Sequence, residues 1–454
     1  MSYEEWTRLL IEDLGPLSKA EITFKPITVI VGKNCYGKSL LVGLSYLLAS
    51  TLPDFKHLMK LVGDEGFSLA EEGYRAARAE DTQRLEQCLA KLLHLFFEKL
   101  GPPLASPLTQ RFKEFFNVDR VNGLFKGKAL LSGAHLSCRI EPTEEFKVTF
   151  QGYDALRPRL INMERPRLDE IHMNVRLMDS DLTGVLSESF DLLKFIGGEM
   201  VPLALADLTP LSFGVGESLL FTDSRAGILR LISVALTSSL EYGGRMVPLK
   251  ERLFESAYIK AALNFRERGV IEVVKAPFNN LLAELGVRDV KVERVAGRPM
   301  VKVEDKWGNE LPLEETPSGI RESLLIVLAL ASKPRLFTSM FIEEIEAHLH
   351  PSALRGLTEL LCNSILAEEG PYYVVLTVHN PIVLSCLNNA ILKREGLSEL
   401  ISAVHLREVD GRVVTESISI TPEGFDESCL SQVFVDLLEE RAELRDTKAN
   451  KTQH

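Results

Sequence analysis

The chain has no uninterrupted apolar run near the ~20 residues that a bilayer-spanning helix needs. Its start, MSYEEWTRLL, has no basic stretch leading into an apolar one. Neither a membrane protein nor a secreted one is expected, and the reading is cytoplasmic. The six cysteines (Cys35, Cys88, Cys138, Cys362, Cys386, Cys429) form no CxxC pair, which argues against a zinc or disulfide framework and for reduced thiols. A net charge of −12, from 52 Lys plus Arg against 64 Asp plus Glu, excludes a wholly basic nucleic-acid coat, so any DNA contact must be a local patch. Only 6 Gln and 14 Asn occur, a depletion reported for hyperthermophilic proteins, which recommends assays at high temperature. With 454 residues the chain can build two or three packed units.

What is present alternates between two periods. AEITFKPITVIV reads as two strands broken at Pro26 and running into Gly32, and LLVGLSYLLA after Ser39 reads as a helix. From Leu52 to about Lys128 the spacing is helical, interrupted by GPP at 101–103. HLSCRIEP and FKVTFQG read as strands and AGILRLISVALTSSL as a helix. From Arg288 come the strands VKVERVA and MVKVED, the helix GIRESLLIVLALA, the strand LFTSMFI, a helix after Pro351, and the strand YYVVLTV ending at His379. This alternation predicts an α/β fold with a largely parallel sheet. The expected division is 1–51, the first part of the core with its phosphate loop; 52–127, a helical insertion; 128–287, a β-piece with a helical lid or arm; 288–420, the second part of the core; and 421–454, an acidic helix and mobile tail.

The chemistry concentrates in two blocks. Gly32-Lys33-Asn34-Cys35-Tyr36-Gly37-Lys38-Ser39 fits GxxxxGK[ST] between a strand and a helix, with Leu40 closing the set. Glycines let backbone N–H groups surround a β-phosphate, Lys38 neutralises β and γ charge, and Ser39 offers a hydroxyl to Mg2+. A phosphate loop needs a second carboxylate site to hydrolyse. SMFIEE supplies Glu343 and Glu344 at a strand end, one to hold Mg2+ and one to polarise water, with two solvated acids as the plain alternative. His379 ends the next strand, where a γ-phosphate sensor belongs, or else serves as a core or capping histidine.

In this order GKNCYGKS, PSGIRE, FIEEIEAHLHP and LTVHNP resemble the P-loop, signature, Walker B with D-loop, and switch histidine of ABC-type ATPases of the OLD and RecF-like group. The resemblance covers 21–50 and 311–384. It implies a P-loop NTPase of ABC-ATPase type, a mixed sheet core with a large, mainly helical insertion, binding ATP and Mg2+ and forming an ATP-dependent homodimer. On that reading Ser318 and Gly319 contact a γ-phosphate in trans, Ser39 and Glu343 hold Mg2+, Glu344 orients the water, His379 senses the γ-phosphate, and Glu346 to His350 form the cross-dimer D-loop. The sequence departs from the pattern at Ile345, where proline is usual, and at Asn380, where serine is common.

Other readings stand beside these. Ser318 in PSGIRE also suits a helix N-cap, with Glu322 near the capping position. Glu346, His348 and His350 make a poor metal set, since i and i+2 followed by Pro351 do not converge. Cys35 reads as a spacer, or as an oxidation-sensitive thiol at a helix N-terminus. Gln151 is the candidate for the glutamine that links ATP to the lobes. Arg245 to Lys302 carries 12 Lys or Arg against 7 Asp or Glu, which suits either a DNA-facing surface or a solvated helical face.

The expected function is an ATP-hydrolysing dimer coupled to DNA transactions in repair or defence, acting with a separate nuclease or effector. The 75 residues after His379 are too few for the TOPRIM nuclease that OLD proteins usually append. The alternative is an ATP-switched regulator of a toxin or nuclease that does not touch DNA. A transporter motor is disfavoured by the 279 positions from Ser39 to Ser318 and by the missing LSGGQ.

Overall fold

Strands that end at a phosphate loop and at paired acids must lie side by side for the two to meet, and their sequences arrange this. The computed structural model describes residues 6–167, 170–208, 217–223, 225, 229, 249–295, 298–333, 339–367 and 373–452, with side chains to 444. Helix α1 (Lys38–Ser50) follows strand β3 (Ile27–Gly32), whose six residues are all buried. Ile27, Val29 and Val31 pack on one face and Ile30 on the other, so the apolar run is a central strand covered on both sides.

A hairpin, β1 (Arg8–Leu14) and β2 (Leu17–Thr23), precedes β3. Three helices, α2 (Phe55–Arg78), α3 (Thr82–Lys99) and α4 (Gly101–Phe116), fill the expected helical insertion. Then come β4 (Ala129–Ser132), β5 (Ser137–Pro142) and β6 (Phe146–Gln151), and a separate sheet of β7 (Arg159–Arg167), β8 (Glu170–Leu177) and β9 (Ser180–Leu186). β10 (Ser218–Phe221) follows, with the helices Leu249–Arg268 and Lys275–Glu284. A third sheet holds β11 (Val287–Val295), β12 (Arg298–Asp305) and β13 (Glu310–Pro312). The helix Ser318–Ala331, β14 (Ser339–Ile342), the helix Pro351–Leu366, β15 (Tyr373–Val378) and the helix Pro381–Lys393 complete the second block. β16 (Ile401–Val409), β17 (Arg412–Ile418) and the helix Ser428–Thr452 close the chain.

The main sheet has eleven strands in the order β10-β14-β15-β3-β16-β17-β2-β1-β4-β5-β6. The fold is α/β with a mixed sheet. The pairs from β10 to β16 are parallel, as are β17 and β2, while the others are antiparallel. This corrects the largely parallel expectation: crossovers through helices give the parallel half, and tight hairpins such as β1–β2, turned at Gly15 (φ 55°), give the rest. The 128–287 block is split, since β4–β6 extend the main sheet on one edge and β10 forms the other. The expected tail RDTKANKTQH continues the last helix as far as Thr452. The proposed helix AGILRLISVALTSSL lies outside the described residues, apart from Leu229.

Candidate functional site

β3 and β14 both run into the site, with β15 between them. The last residue of β3, Gly32, has φ 153°, and a Cβ there would lie 2.8 Å from Leu406 Cβ. Gly37, at φ 95°, would place a Cβ 3.0 Å from Leu17 Cγ. Both glycines are thus demanded by neighbouring strands as well as by the curl of the loop. Lys33, Asn34 and Cys35 are exposed, with Cys35 at φ 66°; Tyr36 hydroxyl donates to Glu408 Oε2 at 3.1 Å. Gly37 is the N-cap of α1 and offers no capping side chain, so the helix begins with uncapped N–H groups and Leu40 packs behind them. Lys38 is nearly buried; its Nζ donates to Gly32 O at 2.6 Å and Lys33 O at 2.8 Å. Burial lowers its pKa, against the pull of the Glu344 and Glu346 charges.

Glu343 follows β14 and is 2% exposed. Its N–H donates to Phe221 O at 2.8 Å, and its Oε2 accepts from Asp223 N–H at 3.3 Å. Burial raises its pKa, and among opposing influences is the Ser39 hydroxyl beside it. Among the described residues Oε1 receives no well-formed hydrogen bond. A buried carboxylate oxygen beside a serine hydroxyl at the start of a phosphate loop fits a hard divalent cation such as Mg2+, which takes oxygen ligands. No group of three or more His, Cys, Asp or Glu is placed to hold a metal among the described residues, so such an ion would need phosphate or water oxygens as well.

Glu344 sits in a left-handed turn (φ 49°), fixed by its N–H donating to Thr377 Oγ1 at 2.8 Å. That turn brings Glu344 Oε1 to 3.4 Å from His379 Nε2. Burial and then the Lys38 charge lower the His379 pKa, against Glu344, which favours the neutral ring. Glu346 Oε1 accepts the N–H groups of His379 and, at 3.0 Å, Asn380, while its Oε2 is buried without a hydrogen bond among the described residues. Burial raises the Glu346 pKa. The structure therefore brings Lys38, Ser39, Glu343, Glu344 and His379 to the adjoining ends of β3, β14 and β15.

The departures from the resemblance have local causes. Ile345 is buried and its N–H donates to Thr377 O at 3.5 Å, a contact that a proline lacks. Asn380 caps its helix by accepting from Ile382 N–H at 3.0 Å. His350 likewise caps the Pro351 helix through Ser352 N–H at 3.3 Å, and His348 stands at φ 59°. The capping reading of Ser318 is corrected: Pro317 is the N-cap and Ser318 is the exposed first residue of the helix. Gly319 packs so closely on the 346–350 turn that a Cβ would lie 2.9 Å from His348 O. Glu322, far from capping anything, is buried in the helix.

Gln151 ends β6, at the opposite edge of the sheet from β10, and takes no part in the site. The strand beside β14 is β10, and the residues after it, Thr222, Asp223 and Arg225, are the ones that sequence reasoning missed. Their signal was available: SLLFTD has the apolar-then-acid form of SMFIEE. In the basic run, eight side chains are ion-paired among the described residues: Arg252, Lys260, Lys275, Arg288, Lys291, Arg294, Arg298 and Lys302. All six cysteines are free. No helix among the described residues is long and apolar enough to cross a membrane.

Residues 203–385 match a family model described as AAA domain, putative AbiEii toxin, Type IV TA system. The match begins after the phosphate loop and takes in Ser318, Glu343, Glu344 and His379. No curated protein matches the sequence. Among solved structures, the chain is similar to an SMC head bound to the C-winged helix domain of ScpA, at 12% identity and TM-score 0.38, covering 91% of this chain and 97% of that one. It is also similar to the SMC head domain from Thermotoga maritima, at 11% identity and TM-score 0.33, covering 90% and 97%. The phosphate loop and the strand-end acids beside it belong to one α/β sheet, and the AAA-domain match covers the acid half.

Proposed function

We propose that the chain is a Mg2+-dependent ATPase of the ABC type, near the OLD and RecF-like group, that works in the cytoplasm as an ATP-driven homodimer. The observation that carries this is the contact of Glu344 Oε1 with His379 Nε2 at 3.4 Å, beside the Lys38 loop. In this reading Lys38 and the N–H groups of 32–40 hold the phosphates, and Ser39 and Glu343 hold Mg2+, which screens the phosphate charge. Glu344 orients the attacking water, and His379 donates or accepts a hydrogen bond at the γ-phosphate. The helix N-terminus at the exposed Ser318, which has no capping side chain, supports a role for Ser318 and Gly319 toward the triphosphate of a second copy.

The test is the mass of Glu344→Gln in solution by light scattering, without nucleotide, with Mg-ADP and with Mg-ATP. A monomer that doubles only with Mg-ATP is expected. A mass that ATP leaves unchanged, with binding shown separately, removes the ATP-driven dimer. For the partner, the reading is coupling to DNA in repair or defence through a separate nuclease or effector. The second reading, an ATP switch on a toxin or nuclease without DNA contact, is favoured by the ion pairs that occupy most of the 245–302 cations and by the toxin-system description of the matching family. DNA-stimulated turnover that declines with salt selects the first; turnover indifferent to DNA selects the second.

A further inference from the structure

The side chain that joins the most parts of the site is one that the resemblance does not assign. Arg225 is 1% exposed. Its Nη1 donates to Thr222 O at 2.9 Å and to Glu343 O at 2.7 Å, and its Nη2 donates to Glu344 O at 3.0 Å. Its Nε lies 3.2 Å from Glu322 Oε2, one turn into the helix that Ser318 begins, as an ion pair rather than a hydrogen bond. The guanidinium fork ties the end of β10 to the Glu343-Glu344 backbone by hydrogen bonds, and its charge ties both to the Ser318 helix. Burial of a cation is costly unless it is paired, and the buried Glu322 supplies the pairing charge.

The Glu344 peptide is where this matters. Its carbonyl accepts from Arg225 and from Ala347 N–H at 3.0 Å, and its left-handed φ of 49° is a conformation that a non-glycine residue keeps only when its surroundings hold it. We propose that Arg225 is a positioning residue: through Glu322 it transmits the placement of the Ser318 helix to the Glu344 turn, and so sets whether Glu344 is aimed for its task. A group that engages Ser318 and Gly319 then acts on Glu344 through the same chain, in cis, without touching it. The inference deepens the ATPase reading and rests on it for the task of Glu344.

Two variants test the link. Glu322→Gln keeps the shape and leaves Arg225 its three carbonyls; Arg225→Lys keeps the charge but loses the fork. For each, kcat, KM, nucleotide affinity and thermal midpoint are measured, together with hydrogen exchange at the Ile345 and Ala347 amides. Expected are a kcat lowered about 10-fold or more, with nucleotide affinity within about 2-fold of wild type, and faster exchange at 345 and 347 but not in the phosphate loop. A merely structural role lowers the midpoint and leaves kcat of the folded protein and the local exchange alone; that result overturns the proposal. Should Arg225→Lys fail to fold, Glu322→Gln decides. A wild type without turnover sinks the ATPase reading, while the exchange of Ile345 and Ala347 still settles whether Arg225 and Glu322 hold the turn.

Discussion

The two halves of the site are built on opposite plans. The phosphate loop is held by backbone: glycines pressed against Leu406 and Leu17, and a lysine whose ammonium is held by two carbonyls with its third donor left over among the described residues. The acid half is held by side chains, and it is left short of partners. Glu343 Oε1 and Glu346 Oε2 are buried without hydrogen bonds among the described residues. An unpaired buried acceptor costs about 1–3 kcal/mol, so the acid half stores a demand for positive charge that the loop half does not. On the function proposed above, the difference separates binding from turnover: the loop half is assigned to the polyanion and the acid half to the cation.

Three experiments sharpen this contrast. The largest effect is expected from Glu344→Gln, which keeps the side chain's shape and removes its charge: turnover should fall by about 10²–10⁴-fold while nucleotide affinity stays near wild type. Steady-state hydrolysis beside a fluorescent-nucleotide titration reads both, and normal turnover would overturn the role given to Glu344. Lys38→Ala attacks the other half. Loss of a charge-assisted contact of about 1.5–3 kcal/mol should weaken triphosphate binding by roughly 10- to 100-fold, measured by calorimetry. Unchanged affinity would mean that phosphate is not held there.

The smallest effect is one of pH. Burial holds the Glu343 pKa above its ordinary value, so the folded chain binds a proton there at pH values where the unfolded chain does not. The carboxyl thus favours folding while protonated and loses that contribution as pH rises through its folded pKa. A cation must compete with that proton. The rise in thermal midpoint on adding Mg-ADP should shrink as the pH is lowered through the folded Glu343 pKa, by up to about 1.4 kcal/mol per pH unit below it. A rise that stays constant over the whole acid range in which the protein remains folded would show that no such competition occurs at Glu343.

The loop half was legible as a string because its chemistry is local: eight consecutive residues between a strand and a helix carry it. Glu343, Glu344 and His379 were legible one step less directly, as polar ends of apolar strands. Arg225 was not, since what makes it matter is the parallel pairing of β10 with β14, in which Leu220 lies opposite Phe341, 121 positions further on. Gln151 misled for the same reason. It ends a good strand, but that strand lies seven places from β3 in the sheet, and no local pattern reveals a sheet's order. Likewise the pairing of Leu10 with Leu130, which draws β4–β6 into the main sheet, joins segments with no shared signal.

The position of β3 has a consequence for synthesis. Val29 pairs with Leu376 on one side and with Ala403 on the other. A ribosome that has just made Gly32 must add the chain as far as Leu406, the last partner of that strand, before both flanks exist. At ~5–20 residues per second that interval is roughly 20–75 s. For that time the strand leading into the phosphate loop is an apolar segment with bare edges, the kind of segment that chaperones cover. The strand that leads into the phosphate loop is therefore completed only by a segment made long after it.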